Sequence, residues 1–156
     1  MVGPEIRYAT NDDEQELLAL MRQYYAEDGY VFHENRANRA VRQLLADRSL
    51  GRLWVISAEG KIVGYVVLTL GFSLEYLGLD AFLDELYVTP DWRGKGLGKR
   101  ALRLVEDTCR ALEVNALHLE VERDKAEAHR LYERAGFERH NGYLMTKWLI
   151  PADPNA

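Results

Sequence analysis

The sequence predicts an α/β fold: a mixed, mostly antiparallel sheet with a central parallel pair of strands and helices on both faces. Three observations predict it. Two amphipathic helical patterns, residues 12–28 and 38–47, precede the first β-branched run. Residues 53–58 and 61–70 are strand-like runs separated by Glu59-Gly60, the two-residue signal of a hairpin. Residues 82–88 and 116–121 read as strands joined by a long helix at 96–112, which is the pattern of a right-handed parallel crossover.

Taken in order, Glu5 to Ala9 alternates as a short first strand. Thr10 and Asn11 can cap a helix, with acidic Asp13 and Glu14 three residues behind them, and Leu17, Leu20, Met21 and Tyr24 then fall on one face. That helix should end near Asp28-Gly29, and the next turns Val41, Leu44 and Leu45 inward. Residues 71–80 read as a loop before the strand at 82–88. In the long helix Leu97, Ala101, Leu104, Val105, Thr108 and Leu112 share a side, with Cys109 packed beside them. Residues 124–134 form a last helix that stops at Ala135-Gly136, and residues 137–139 and 143–149 read as a closing hairpin around Asn141-Gly142.

All 156 residues suit a single domain. A net charge of −5 argues against nucleic acid as the main partner, because such a partner requires a basic surface, and it suits cationic substrates better. Cys109 is the one cysteine, so no internal disulfide and no cysteine-held zinc are expected. His33, His118, His129 and His140 lack metal-ligand spacing, and no metal site is expected. The first ten residues do not read as a signal peptide and no apolar run approaches a membrane span, so the expectation is a cytoplasmic protein away from membranes.

The most informative segment runs from Val88 through Arg93-Gly94-Lys95-Gly96-Leu97-Gly98-Lys99, between a strand and a helix. Glycine disfavours a helix by roughly 0.5–1 kcal/mol against alanine, so three glycines at a helix start imply that something approaches the backbone. Unpaired N–H groups at the positive end of a helix dipole form an anion site, and Arg93, Lys95, Lys99 and Arg100 add charge. The guest is a phosphate or pyrophosphate. The Walker and dinucleotide glycine spacings are both absent, which disfavours a kinase or nucleotide-binding enzyme. Arg93-x-x-Gly96-x-Gly98 resembles the coenzyme A pyrophosphate signature of the GNAT superfamily of N-acetyltransferases. Residues 83–90 just before it resemble that family's fourth strand, and Ala128-His-Arg-Leu-Tyr132 with Gly136-Phe137 resembles its closing helix.

The resemblance implies an acetyl-CoA-dependent enzyme that acts by direct transfer in a ternary complex. It implies that the pantetheine arm lies on the fourth strand at Leu86, Tyr87 and Val88, which splays from the neighbouring parallel strand. It places the pyrophosphate on amides from Gly94 to Lys99, with Leu97 and Ala128 nearby. Where the family often has an asparagine, this chain has Lys125, which suggests a salt link to the phosphates in its place. A homodimer is a further implication. Acetyl transfer needs a neutral amine and a protonated leaving thiolate. Tyr132 matches the family's general acid. Asp84, Glu85 and Glu120 are the base candidates; Asp84 and Glu85 are adjacent and should face opposite sides of the sheet unless a bulge intervenes.

The family frames its acceptor with the first two helices and the loop before the fourth strand. Those segments hold Tyr24, Tyr30, Phe32 and Glu34, then Glu75 and Asp80, among further aromatic and acidic residues. Rings interleaved with carboxylates fit a small cationic amine, such as a polyamine, amino acid or aminoglycoside, although a protein N-terminus or lysine is an alternative. A non-catalytic acyl-CoA sensor is the competing class, and it is distinguished by the absence of thiol release with amines. The expectation for Tyr132→Phe is retained fold and coenzyme affinity with turnover lowered about tenfold or more, read by thiol release; unchanged turnover would remove Tyr132 from the mechanism.

Overall fold

A computed structural model describes residues 2–150. Its elements are β1 (Glu5–Tyr8), α1 (Glu14–Glu27), α2 (Glu34–Ala46), β2 (Gly51–Ala58), β3 (Lys61–Ser73), β4 (Gly78–Val88), α3 (Leu97–Ala111), β5 (Ala116–His118) and α4 (Ala126–Arg134), with short 3-10 turns at Asn11–Asp13 and Pro90–Trp92. Residue contacts group into two units, one through Glu120 and one from Val121.

The first unit is a five-stranded sheet in the order β1-β2-β3-β4-β5, antiparallel except for the parallel β4–β5 pair. Alternate side chains point to opposite faces. Leu53 and Val55 of β2, Tyr65 and Val67 of β3 and Tyr87 of β4 pack with Leu17, Leu18, Leu20 and Met21 of α1 and Val41 of α2. The opposite parity of the same strands, Trp54, Ile56, Val66 and Leu68, is equally buried, and so is the apolar stripe Leu97, Ala101, Leu102, Val105 and Cys109 of α3. Both faces of β2 and β3 are therefore covered, which explains their near-continuous apolar character.

Two irregularities set the path of β4. Gly64 pairs with Val88, and a Cβ there would lie 2.5 Å from the Tyr87 carbonyl oxygen, so only glycine admits this approach. Further along, Val67 pairs with Glu85 but Leu68 pairs with Leu83. Asp84 is the extra residue of a bulge. Across the bulge the inward phase flips: Leu83 shares the face of Leu68, whereas Glu85 and Tyr87 share the face of Val67 and Tyr65.

Several elements differ from the sequence reading. The expected loop at 71–80 is mostly hairpin, because β3 runs on to Ser73 and β4 begins at Gly78, with Gly71↔Asp80 and Phe72↔Leu79 paired. Phe72, Leu74, Leu77 and Leu79 are exposed there, so this extension has no buried face and carries no alternation to read. α2 starts at Glu34, one turn before its apolar pattern. β5 ends at His118 rather than at 121, and the parallel pair lies at the β5 end of the described sheet rather than in its centre. The reason is that residues 137–149, expected as a hairpin, form no strand, so no described strand continues beyond β5. Tyr143, Leu144, Met145, Trp148 and Leu149 are exposed, and a two-stranded hairpin without a covered face is marginal in water. In the second unit, α4 follows Lys125 and ends where the Phe137 amide donates to the Tyr132 carbonyl, with the two rings edge to face at 5.8 Å.

The entry to α1 is fixed by a buried carboxylate. Asp13 accepts two hydrogen bonds from Arg7 at 2.8 Å each and one from the Thr10 amide at 2.8 Å, tying β1 to the helix start. The Arg7 hydrogen bonds hold the Asp13 carboxyl below its usual range, against burial, which pushes it up. A carboxyl lowered on folding adds stability above its unfolded pKa, and that stability is lost as pH falls. Asp13→Asn should therefore lose about 1–3 kcal/mol at pH 7 in urea unfolding, and the gap to wild type should narrow in acid below the ordinary carboxyl pKa of 3.8. Equal midpoints at pH 7 would show that the pair contributes nothing.

Candidate active site

The candidate site lies on the α1/α2 face of β4 and along its open edge. The parallel ladder with β5 has three rungs, Asp80↔Ala116, Ala81↔Leu117 and Phe82↔His118. Beyond Phe82 the β4 edge from Leu83 to Val88 is not paired with β5; Leu86, Tyr87 and Val88 pair with Val66, Tyr65 and Gly64 of β3 on the other edge, and the Val88 carbonyl accepts from Arg93.

At the bulge Glu85 turns toward α1, and Asp84, the extra residue, lies near enough for its charge to be felt at Tyr25 and Glu85. Glu85 Oε1 accepts from the Tyr65 hydroxyl at 2.7 Å and Oε2 from the Tyr25 hydroxyl at 3.2 Å. Burial pushes the Glu85 carboxyl up, the nearby Asp84 charge adds to this, and the two phenols oppose it. Asp84 keeps a solvent-exposed side chain yet is also raised, by partial desolvation, and its charge is felt at Tyr25. The Tyr25 and Tyr65 phenols are raised by burial first and then by Glu85. Glu120 is exposed beyond the end of β5 and is not brought to this cluster by any strand pairing.

Tyr25 is the hub of a ring cluster. It meets Tyr24 at 5.8 Å, Phe32 at 5.5 Å and Tyr30 at 6.5 Å, all edge to face, and Tyr24 meets Tyr87 at 5.3 Å. Tyr24, Tyr30 and Phe32 thus belong to one cluster around Tyr25. Glu34 is drawn aside to Arg22, whose guanidinium also lies over Phe32. Glu75 is exposed in the β3–β4 turn, and Asp80 is half-buried against His118. Sequence reasoning missed Tyr65, a core-patterned strand residue whose hydroxyl nothing in the pattern marks, and it left His118 aside for lack of metal spacing.

The glycine turn follows directly. Gly94 and Gly96 have φ of 74° and 80°, and a Cβ at either would meet nothing within 4 Å, so the requirement is the left-handed backbone itself. Gly96 caps α3, and the first helical bond is Arg100 N–H to the Gly96 carbonyl at 3.1 Å, leaving the amides of Leu97, Gly98 and Lys99 ahead of the ladder. These amides and the exposed Lys95 and Lys99 can hold an anion. Lys95 rests over the Trp92 ring at 4.5 Å. Arg93 does not simply add charge to the turn: its guanidinium donates to the Val88 carbonyl and to Glu27, each at 2.8 Å, and lies over the Tyr87 ring. Glu27 also accepts from the Tyr87 hydroxyl, whose pKa is pushed up to about 12, chiefly by burial.

In the second unit Tyr132 is half-buried, and burial raises its phenol. Lys125 caps α4, and Ala128 lies one turn before Tyr132. Among the described residues no group of three or more His, Cys, Asp or Glu side chains could hold a metal ion, and no helix is long and apolar enough to cross a membrane.

Comparison with known proteins gives a consistent result. The family model for the acetyltransferase (GNAT) family matches residues 16–137. An aminoalkylphosphonate N-acetyltransferase of Salmonella typhimurium is 28% identical over 153 residues, covering 93% of this chain and 91% of the relative. Among solved structures, an integron cassette protein, HFX_CASS3, from the mobile metagenome of Cole Harbour Salt Marsh superposes with a TM-score of 0.83 at 41% identity, over 94% of this chain and 91% of that one. A "predicted acetyltransferase with acetyl-CoA" from Clostridium acetobutylicum shares the fold, with a TM-score of 0.80 at 15% identity over 92% and 96% of the two chains. The chain belongs to the acetyltransferase (GNAT) family of N-acetyltransferases.

Proposed function

We propose that this protein transfers the acetyl group of acetyl-CoA directly to the primary amine of a small cationic acceptor, with both substrates bound together. The observation that carries the reading is the β4 bulge, which puts Glu85, with Asp84 next to it, at the Tyr25 ring cluster while the backbone edge beyond Phe82 stays free of β5. The free edge at Leu86 to Val88 is suited to pantetheine amides. The amides of Gly94 to Lys99, with Lys95 and Lys99, are suited to the pyrophosphate; in the second unit, Lys125 and Ala128 stand at the positions to which the family resemblance assigns further coenzyme contacts.

The acceptor ammonium is held by charge and by ring faces. Two carboxylates and the rings of Tyr24, Tyr25, Tyr30 and Phe32 give a cation both pairing and cation–π contact. A backbone N–H on the open β4 edge polarises the thioester carbonyl as negative charge develops on it. Tyr132 carries the general-acid role and returns a proton to the thiolate.

The Salmonella relative makes an aminoalkylphosphonate a specific second acceptor to try. The test is thiol release from acetyl-CoA with a panel containing spermidine, 2-aminoethylphosphonate, an aminoglycoside, free amino acids and a peptide with a free N-terminus. Saturable, amine-dependent release with spermidine or another small cation supports the reading; release with the aminophosphonate alone replaces the acceptor class. No release with any amine, together with binding of CoA, would make the protein a sensor. A second expectation concerns Glu85→Gln, which keeps an acceptor for one phenol, offers the other an N–H donor and loses the charge. It should raise the amine KM about tenfold or more and leave CoA binding unaltered; an unchanged KM would remove Glu85 from the acceptor site.

A further inference from the structure

The parallel ladder brings together two titratable side chains that lie 38 residues apart in sequence, Asp80 on its first rung and His118 on its last. His118 Nε2 lies 3.1 Å from Asp80 Oδ2, and the two side chains are 15% and 14% exposed. The rings of Tyr76 and Phe82 flank the imidazole at centroid distances of 4.4 and 5.1 Å. Register fixes where the pair stands. Asp80 and Phe82 share a face of β4, and Phe82 pairs with Thr69, which has the parity of Val67 and Tyr65. The His118–Asp80 pair is therefore on the same face as Glu85, with His118 on the last rung before β4 and β5 cease to pair.

We propose that His118, oriented by Asp80, is the general base that takes the proton from the acceptor ammonium. A carboxylate accepts only, so Nε2 carries the hydrogen in this contact and Nδ1 is left with a lone pair. That is the arrangement of a base and its orienting partner. The titratable groups that meet the imidazole are Asp80 from β4 and Tyr76 from the β3–β4 turn. The carboxylates expected in this role are less suited to it. Both Glu85 oxygens already accept phenolic hydrogens, and Glu120 is exposed past the end of β5. Asp84 is the remaining competitor. With the proton task at His118, Asp84 and Glu85 hold the cation.

The step balances. The ammonium gives one proton to Nδ1, and the imidazolium passes it to water. The freed nitrogen lone pair forms the bond to the thioester carbon, and the carbon–sulfur bond breaks with its electrons on sulfur. The second proton lost by nitrogen equals the one the thiolate takes up, so one proton is released to solvent per turnover.

The inference rests on the acetyltransferase reading, and the experiment separates the two. Thiol release is measured on the full chain with acetyl-CoA and the panel amine of highest kcat/KM. His118→Ala should lower kcat/KM by about 100-fold with CoA affinity retained, and added imidazole should restore part of the loss. Asp80→Asn should lose less, and the double variant should lose no more than His118→Ala, since the two act as one unit. His118→Gln, which keeps polar bulk at the sheet end, should be as slow as the alanine variant. Asp84→Asn should leave the imidazole rescue of His118→Ala intact. Wild-type kcat/KM in both His118 variants, or a loss that imidazole does not touch, overturns the assignment while leaving the acetyltransferase standing. A wild-type protein silent with every amine overturns both.

Discussion

One extra residue in β4 decides which chemistry shares a face. Were Asp84 absent from the register, the strand would keep a single alternation, and Leu83 and Glu85 would compete for the same side. With it, Leu83 stays on the side of Leu68 while Glu85 reaches the hydroxyls of Tyr25 and Tyr65. A bulge forgoes local ladder bonds, and it persists here because both sides of it are satisfied, apolar on one face and hydrogen-bonded on the other.

The same strand organises binding through what it leaves unpaired. β3 covers one edge of β4 along its whole length, whereas β5 covers only the first rungs of the other. The chain then leaves β4 through the short Pro90–Trp92 turn into two left-handed glycines and a helix start. A free strand edge is a liability in a soluble protein unless something occupies it. Here that edge leads directly into the turn whose amides precede the α3 ladder.

Much of this was legible in the sequence because it rests on local chemistry. The glycine spacing after Arg93, the crossover from residues 82–88 to 116–121 and the apolar stripe of α3 are written within short windows. What could not be read depends on partners distant in the chain. The bulge at Asp84 is a property of the β3–β4 register, and the Glu85 cluster unites residues 25, 65 and 85. The extension of the β3–β4 hairpin was hidden because residues 71–79 bury no face, so periodicity had nothing to record. The closing hairpin failed for the opposite reason: a turn signal at Asn141-Gly142 was present, but a turn does not make strands without a surface to cover them.

Arg93 joins three places that a reaction cycle must keep in step. It opens the glycine turn, holds the last carbonyl of β4 and grips Glu27 at the end of α1. As an exposed ion pair it adds little to stability. Its effect is geometric: the helix that presents the tyrosines is clamped to the glycine turn. Any shift of that turn would therefore be transmitted through one guanidinium to the far end of α1.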